Sequence, residues 1–475
     1  MTTTRRQLLQ LAAAAGVFRE ARAAVETYHE DYRPQFHFTP KTGWTNDPNG
    51  LLWYKGEYHL FFQHNPFDTK WGNMTWGHAI SKDLVHWNQM DNALLPDRMG
   101  TMYSGSGVVD VDNTAGLQRG EEKTLVVFYT AAGGTSEESK GQPYTQCMAY
   151  SNDRGRTWTK YAGNPVVPHI ASSNRDPKVV WHAPTRRWIM VIFLAEGSAY
   201  RFLASPDLKT WTTLHDMSVP GTGECPDFFE LPVEGEPGET RWVWTSANDS
   251  YLVGSFDGKR FSPEVMTSSG HHGQNYYAVQ TYSNLPDGRR IQLGWMSKAV
   301  YPGMPFNQQM SFPYELSLRR FPHTLKLCSQ PAREIEKLRG PAQDWKDIDL
   351  DPGVNPLSSL AGDLWDIEAE IDPGQSSEVG FKIRGRTVSY AGKPKEKRLN
   401  NGESSVPVAL PASGRLKLRI LVDRTSVEVF ANDGEYVMPN CFVPKVEDRS
   451  LALYAVGGRA RVVSLRIHRL QSIWT

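Results

Sequence analysis

Short apolar runs recur along the first two-thirds of the chain, each followed by a polar turn: LFFQH (60–64), LVVFYT (125–130), WIMVIFLA (188–195), WVWTSA (242–247) and IQLGWM (291–296). Runs of this length, rich in β-branched and aromatic residues, read as strands rather than helices. Downstream of the first four comes a second signal, a Ser-x-Asp turn closed by an aromatic residue: SKDLVHW (81–87), SNDRGRTW (151–158), SPDLKTW (205–211) and SFDGKRF (255–261). The serines stand 70, 54 and 50 residues apart. Repeats of roughly fifty residues with several strands each predict a β-propeller, whose blades bury their faces against one another. Five blades are expected, from about residue 33 to about residue 325. From Gly340 the pattern changes to period-two alternation, as in LWDIEAEID (364–372), RLKLRILVD (415–423), SVEVFAN (426–432) and ARVVSLRIHRL (460–470). Strands of this kind between Gly, Asp and Pro turns predict a β-sandwich over 340–475. PAREIEKLR (331–339) reads as a short helix or linker between the two. The expected fold class is therefore all-β.

The first 23 residues follow a different logic. Arg5-Arg6, an apolar run from Leu8 to Phe18 and the small-residue site Ala21-Arg22-Ala23 have the order of an export signal with a twin-arginine start. Export to the periplasm or the extracellular space is expected, with cleavage near Ala24. Beyond it no apolar stretch approaches the ~20 residues needed to cross a bilayer, so membrane insertion is not expected. The formal charge of the whole chain is zero, and without the leader it is −3. That gives no reason to expect nucleic acid as a partner. The four cysteines, Cys147, Cys225, Cys328 and Cys441, are widely spaced and lack any C-x-x-C, which argues against a zinc site or a disulfide scaffold. His271-His272, read as adjacent strand residues, would face opposite ways and could not share a metal. No metal or cofactor is expected.

Candidate chemistry lies upstream of the apolar runs, near the start of each blade's first strand. Asp47 stands in WTNDPNG, Asp176 in NRDPKVVW, and Glu224, Asp227 and Glu230 in GECPDFFEL. The first strand of a propeller blade lines the central channel, so equivalent positions converge on one funnel. Each acid alone has a plain structural explanation: Asn46-Asp47-Pro48-Asn49-Gly50 is good turn chemistry, and Arg175-Asp176 could be an ion pair. Together they would form a like-charge cluster that is costly unless it is used. Two carboxylates flanking a sugar are the equipment of a glycosidase. Trp44, Trp53, Trp71, Trp76, Trp295, Phe62 and Phe229 could offer flat faces to sugar C–H groups, while Asn46, Gln63, Asn65 and Arg175 could bond hydroxyls. The residues alone leave open which of Glu224, Asp227 and Glu230 acts as an acid.

WTNDPNG (44–50), FFQHNP (61–66), WGHAISKDLVHW (76–87), YSGSGVV (103–109), RDP (175–177), ECPDFFEL (224–231), YYAVQTY (276–282), GWM (294–296) and LVDRTSVEVFANDG (421–434) resemble the invertase, inulinase and levanase family of β-fructofuranosidases, glycoside hydrolase family 32. The resemblance implies a five-bladed propeller followed by a β-sandwich, a retaining mechanism, and a fructose-containing oligo- or polysaccharide as partner. It implies Asp47 as nucleophile, Glu224 as general acid/base and Asp176 as the carboxylate that holds fructose hydroxyls. Asn46, Gln63, Trp71, Ser106 and Arg175 are the expected substrate contacts. A fructosyltransferase on the same scaffold, or a catalytically weak fructan-binding relative, is the alternative. The chain departs from the family pattern at Gly223, where an aromatic residue is usual, in YPGMPFNQQMSFPYEL (301–316), and at His271 and Asn275, where Asp is frequent. These positions are expected at the mouth of the pocket and bear on what the fructose is attached to.

Overall fold

The computed structural model describes residues 28–393 and 396–474, so the export signal expected over residues 1–23 lies outside the described residues. Five four-stranded antiparallel blades run in chain order around a channel. Their innermost strands are Gly43–Tyr54, Thr101–Asp110, Arg175–His182, Asp227–Pro232 and Tyr277–Thr281. The apolar runs form the second strand of each blade and are almost wholly buried, because a blade is covered on both faces by its neighbours. The fifth blade runs on to Pro331 in its last strand, Thr324–Pro331. A short strand, Phe306–Asn307, leaves that blade and pairs in parallel with Gly43–Trp44 of the first, closing the ring.

The Ser-x-Asp repeat marks the hairpin between the third and fourth strands of four blades. In each copy one carboxylate oxygen accepts two backbone N–H groups of the turn: Val85 and His86 on Asp83, Arg156 and Thr157 on Asp153, Lys209 and Thr210 on Asp207, and Lys259 and Arg260 on Asp257. The residue after the aspartate has positive φ every time (Leu84 63°, Arg154 59°, Leu208 62°, Gly258 85°), and three of the four are not glycine. The aspartate bonds hold side-chain-bearing residues in a left-handed conformation that costs roughly 1 kcal/mol or more.

Residues Arg333–Leu338 form a 3-10 helix, and the sandwich starts at Arg339 with a six-stranded sheet packed on a five-stranded one. Its own core, which includes Ile367, Phe381, Ile420, Val429, Leu453 and Ile467, is separate from a second core shared with the propeller. There Leu421, Phe430, Val437, Leu470 and Trp474 pack with Phe36, Phe38, Tyr276 and Tyr314. At this joint His37 sits between Asp423 (2.8 Å) and Glu428 (2.7 Å), all three side chains fully buried. The four cysteines are unpaired, and among the described residues no helix is long and apolar enough to cross a membrane.

Candidate active site

The starts of the innermost strands bring three carboxylates together at one mouth of the channel. Asp47 lies five residues into the first blade's strand, Asp176 is the second residue of the third blade's, and Glu224 stands just before the fourth blade's. They are chained by two intervening groups. The Cys225 thiol lies 3.5 Å from Asp47 and 3.4 Å from Asp176, and its backbone N–H donates to Asp176 at 3.0 Å. The Arg175 guanidinium donates to Glu224 at 2.8 and 2.9 Å and stands 3.7 Å from Asp176. Asp176, Cys225 and Ala278, the last beside Tyr277 on the fifth blade, all have left-handed backbones, at φ of 62°, 49° and 52°. Such strain persists only where the surrounding fold holds it, and it concentrates at functional sites.

Three acids against one guanidinium leave the cluster short of positive charge. Asp47 accepts from Ser104 Oγ (2.5 Å) and Asn46 Nδ2 (3.0 Å), yet burial and then the charge of Glu224 keep its carboxyl above the usual range. For Asp176, burial pushes upward, Arg175 pulls down, and the charges of Glu224 and Asp47 push up again, giving a value of about 7. Glu224 is also reached by the Tyr277 hydroxyl, which donates to it at 3.1 Å. The protons of such a cluster belong to it as a unit.

These groups line a pocket of about 410 Å³ with Asn46, Gln63, Trp71, Tyr103, Ser104 and Trp295 among its walls. The Gln63 amide nitrogen is buried without a hydrogen-bond partner among the described residues. Trp71, 55% exposed, stands edge-on to Tyr103 at the rim.

Asp47, Asp176, Glu224, Asn46, Gln63, Trp71 and Arg175 thus meet in one pocket, but Ser106 does not. Its hydroxyl donates to Pro177 O (2.8 Å) and accepts from Val179 N (2.9 Å) inside the channel. The correction follows from strand periodicity: Ser104 and Ser106 share a face, and Ser106 lies one step, roughly 6–7 Å, deeper. Ser104 is the serine at the pocket. Gly105 between them must be glycine, since a Cβ there would sit 1.9 Å from Phe128 O. Asp227 is also withdrawn from the pocket, fully buried against Lys178 (2.9 Å), and Glu230 points to the other end of the channel beside Thr240. Of the expected aromatics only Trp71 and Trp295 line the pocket. Trp76 and Phe62 are fully buried core, Trp53 packs on the shared core, and Phe229 belongs to the core between the fourth and fifth blades. Trp44 stands behind the wall, donating to Asn46 Oδ1 (2.9 Å), and Asn65 bonds its own loop at Lys70 O (2.8 Å). His271 and His272 lie in a loop, not a strand. Sequence reasoning did not name Met74, Tyr103, Tyr144, Ser173 or Tyr277 as site residues; of these only Tyr103 and Tyr277, inside quoted motifs at strand starts, carried a usable signal.

A five-bladed propeller whose carboxylates meet in one pocket with the Asn46 and Gln63 amides and the Trp71 and Trp295 indoles has the equipment of a glycoside hydrolase. The chain belongs to family 32 of the glycosyl hydrolases: that family's N-terminal domain matches residues 37–331 and its C-terminal domain residues 334–469. A levanase of Bacillus subtilis is 41% identical over 94% of this chain and 72% of its own length. An extracellular exo-inulinase of Aspergillus niger is 31% identical over 94% of this chain and 96% of its own. Among solved structures, the exo-inulinase of Aspergillus awamori superposes with a TM-score of 0.85 at 29% identity, covering 94% of this chain and all of that one. The β-fructofuranosidase of Schwanniomyces occidentalis in complex with fructosyl-erythritol reaches 0.81 at 26% identity, covering 93% and 98%.

Proposed function

We propose that this pocket cleaves a terminal β-fructofuranosyl unit by two displacements. Asp47 attacks the anomeric carbon, C2, while Glu224 hands a proton to the departing oxygen, leaving a fructosyl ester on Asp47. Glu224 then takes a proton from water, which attacks C2, releases fructose and restores the Asp47 carboxylate. The observation that carries the reading is the linkage of all three carboxylates through Cys225 and Arg175 in one pocket. In this scheme Arg175 and Tyr277 steady the ionised Glu224 that serves as base, and Asp176 with Gln63 and Asn46 holds fructose hydroxyls.

The chain is a fructose-releasing glycoside hydrolase of the β-fructofuranosidase type, in keeping with relatives named as levanase, exo-inulinase and β-fructofuranosidase. Exo action is supported by the blind end of the pocket. Below it the channel is filled by Ser106, the Lys178–Asp227 pair and the bond from Lys178 to Thr281 O at 3.0 Å. A pocket of about 410 Å³ closed in this way accepts a chain end rather than a chain middle. Propeller (33–325) and sandwich (340–475) are proposed as catalytic unit and support. Export through the Arg5-Arg6 leader is supported by the relatives named as extracellular. A time course on sucrose, inulin and levan tests the function: fructose is expected as the sole early product from the two polymers. Early fructan oligosaccharides would refute exo action, and no fructose from any of the three would refute the function.

A further inference from the structure

The channel has a second mouth, where the innermost strands end instead of begin. There a cavity of about 460 Å³ lies between the ends of the second, third, fourth and fifth blades' inner strands, at Val109, Trp181, Leu231 and Ser283. The polar belt of Ser106, Lys178, Asp227 and Thr281 separates it from the carboxylate pocket. Its walls are largely apolar, with Trp181, Trp188 and Trp242 among them, and Trp181 meets Trp188 at 4.9 Å between ring centres. Polar groups of both signs stand at its edge: Asp112 and Glu230, both exposed, and the guanidinium of Arg290. Arg290 donates Nη1 to Tyr282 O at 3.1 Å, but its buried Nε has no partner.

We propose that this far mouth is a second saccharide site, holding one or two units of a neutral fructan chain away from the point of cleavage. A neutral polyol reconciles the mixed charge. An anion drawn to Arg290 would meet Asp112 and Glu230, and a cation drawn to the acids would meet Arg290. Sugar hydroxyls both accept from a guanidinium and donate to carboxylates. Indole faces cover sugar C–H groups, and the cavity has the size and the few placed polar groups of a small-molecule site. The Arg290 Nε–H is buried without a partner, so the guanidinium at the cavity's edge retains unused donor capacity. The choice of fructan rests on the function proposed above; the existence of the site does not. Two mouths at opposite ends of one channel let a polymer bind the enzyme without occupying the catalytic pocket, and so raise the local concentration of chain ends.

Trp181→Ala and Glu230→Gln test this, neither residue lying in the catalytic pocket. Steady-state kinetics on sucrose should match the parent for both variants, which also shows that each has folded. On levan or inulin polymer the KM should rise, about tenfold for Trp181→Ala as one aromatic platform is lost, with kcat unchanged. Electrophoresis through gels cast with levan or with inulin should show weaker retardation of both variants in an Asp47→Ala background. That measurement needs no turnover, so it reads the site even if the proposed hydrolysis fails. Polymer KM and gel retardation equal to the parent's in both variants, with both polymers, would overturn the proposal.

Discussion

Two clusters in this protein gather carboxylates around a single cation, one fully buried and one open to a pocket, and they do so to opposite effect. At the joint between propeller and sandwich, His37 bonds Asp423 and Glu428 through its two ring nitrogens. The remaining lone pairs are filled: Asp423 accepts the backbone N–H of Gln35 (2.7 Å), Phe36 (3.0 Å) and Arg424 (2.6 Å), and Glu428 accepts the Tyr314 hydroxyl. Burial alone would push His37 down, but the charge of Glu428 and the bonds to both acids lift it to about 9. Asp423, against its own burial, is held below the usual carboxylate range by His37. In the carboxylate pocket of the propeller three acids share one guanidinium, donors fall short, and Asp176 moves the other way, up to about 7. A satisfied cluster fixes a structure; an unsatisfied one stores electrostatic strain that a substrate's hydroxyls and a transferred proton relieve.

The comparison breaks most sharply at Asp47. Asp47→Ala removes the nucleophile and one of the crowding charges, so turnover of every fructoside should fall by about 10⁴-fold or more. The thermal midpoint should hold or rise. A residual rate within tenfold of the parent would remove Asp47 from the mechanism.

His37→Gln should do the reverse. Taking the cation from between two buried carboxylates should cost about 3–5 kcal/mol in denaturant unfolding, while the folded fraction keeps its kcat. The pH dependence follows in sign. A histidine raised in the folded state contributes fully below its unfolded value of about 6.5, and that contribution is lost as pH rises through about 9. The parent should therefore lose stability across that window, and the variant should show no corresponding loss.

Asp176→Asn gives a smaller change in stability than His37→Gln, of opposite sign. A carboxyl whose folded value stands near 7 disfavours the folded state once pH exceeds the unfolded value near 3.8. Its cost grows as pH rises toward 7. The amide should cripple catalysis and yet stabilise the protein at neutral pH by about 1–3 kcal/mol, with little gain at pH 4. Equal stability of variant and parent at pH 7 would mean that the pocket is not strained.

The propeller and the cluster of carboxylates at its mouth were legible because their signals are local and repeated. The Ser-x-Asp hairpins recur at blade spacing, and each acid lies close to the start of its blade's innermost strand. His37 carried no such signal, since its partners lie 386 and 391 residues away, and pairing at that separation is created by the packing of one domain on another. Ser106 was misplaced for a subtler reason: period two selects a face of a strand but not a depth along it, and only the three-dimensional funnel shows that the pocket ends at Ser104. The aromatics failed in the same way. Trp71 and Trp76 are only five residues apart in the chain, yet Trp76 is fully buried and Trp71 is open to solvent. The Asp227–Lys178 pair shows that an acid in the right motif can serve the channel wall rather than the chemistry.

In the proposed reaction Asp47 forms a covalent bond to C2. The configuration of the first-formed fructose tests it most directly, recorded by NMR in the first seconds of sucrose hydrolysis, before mutarotation. Two displacements at C2 restore the starting configuration, so β-fructofuranose is the expected product. An initial α anomer would mean that water attacks C2 in a single displacement, and would contradict a fructosyl–Asp47 intermediate.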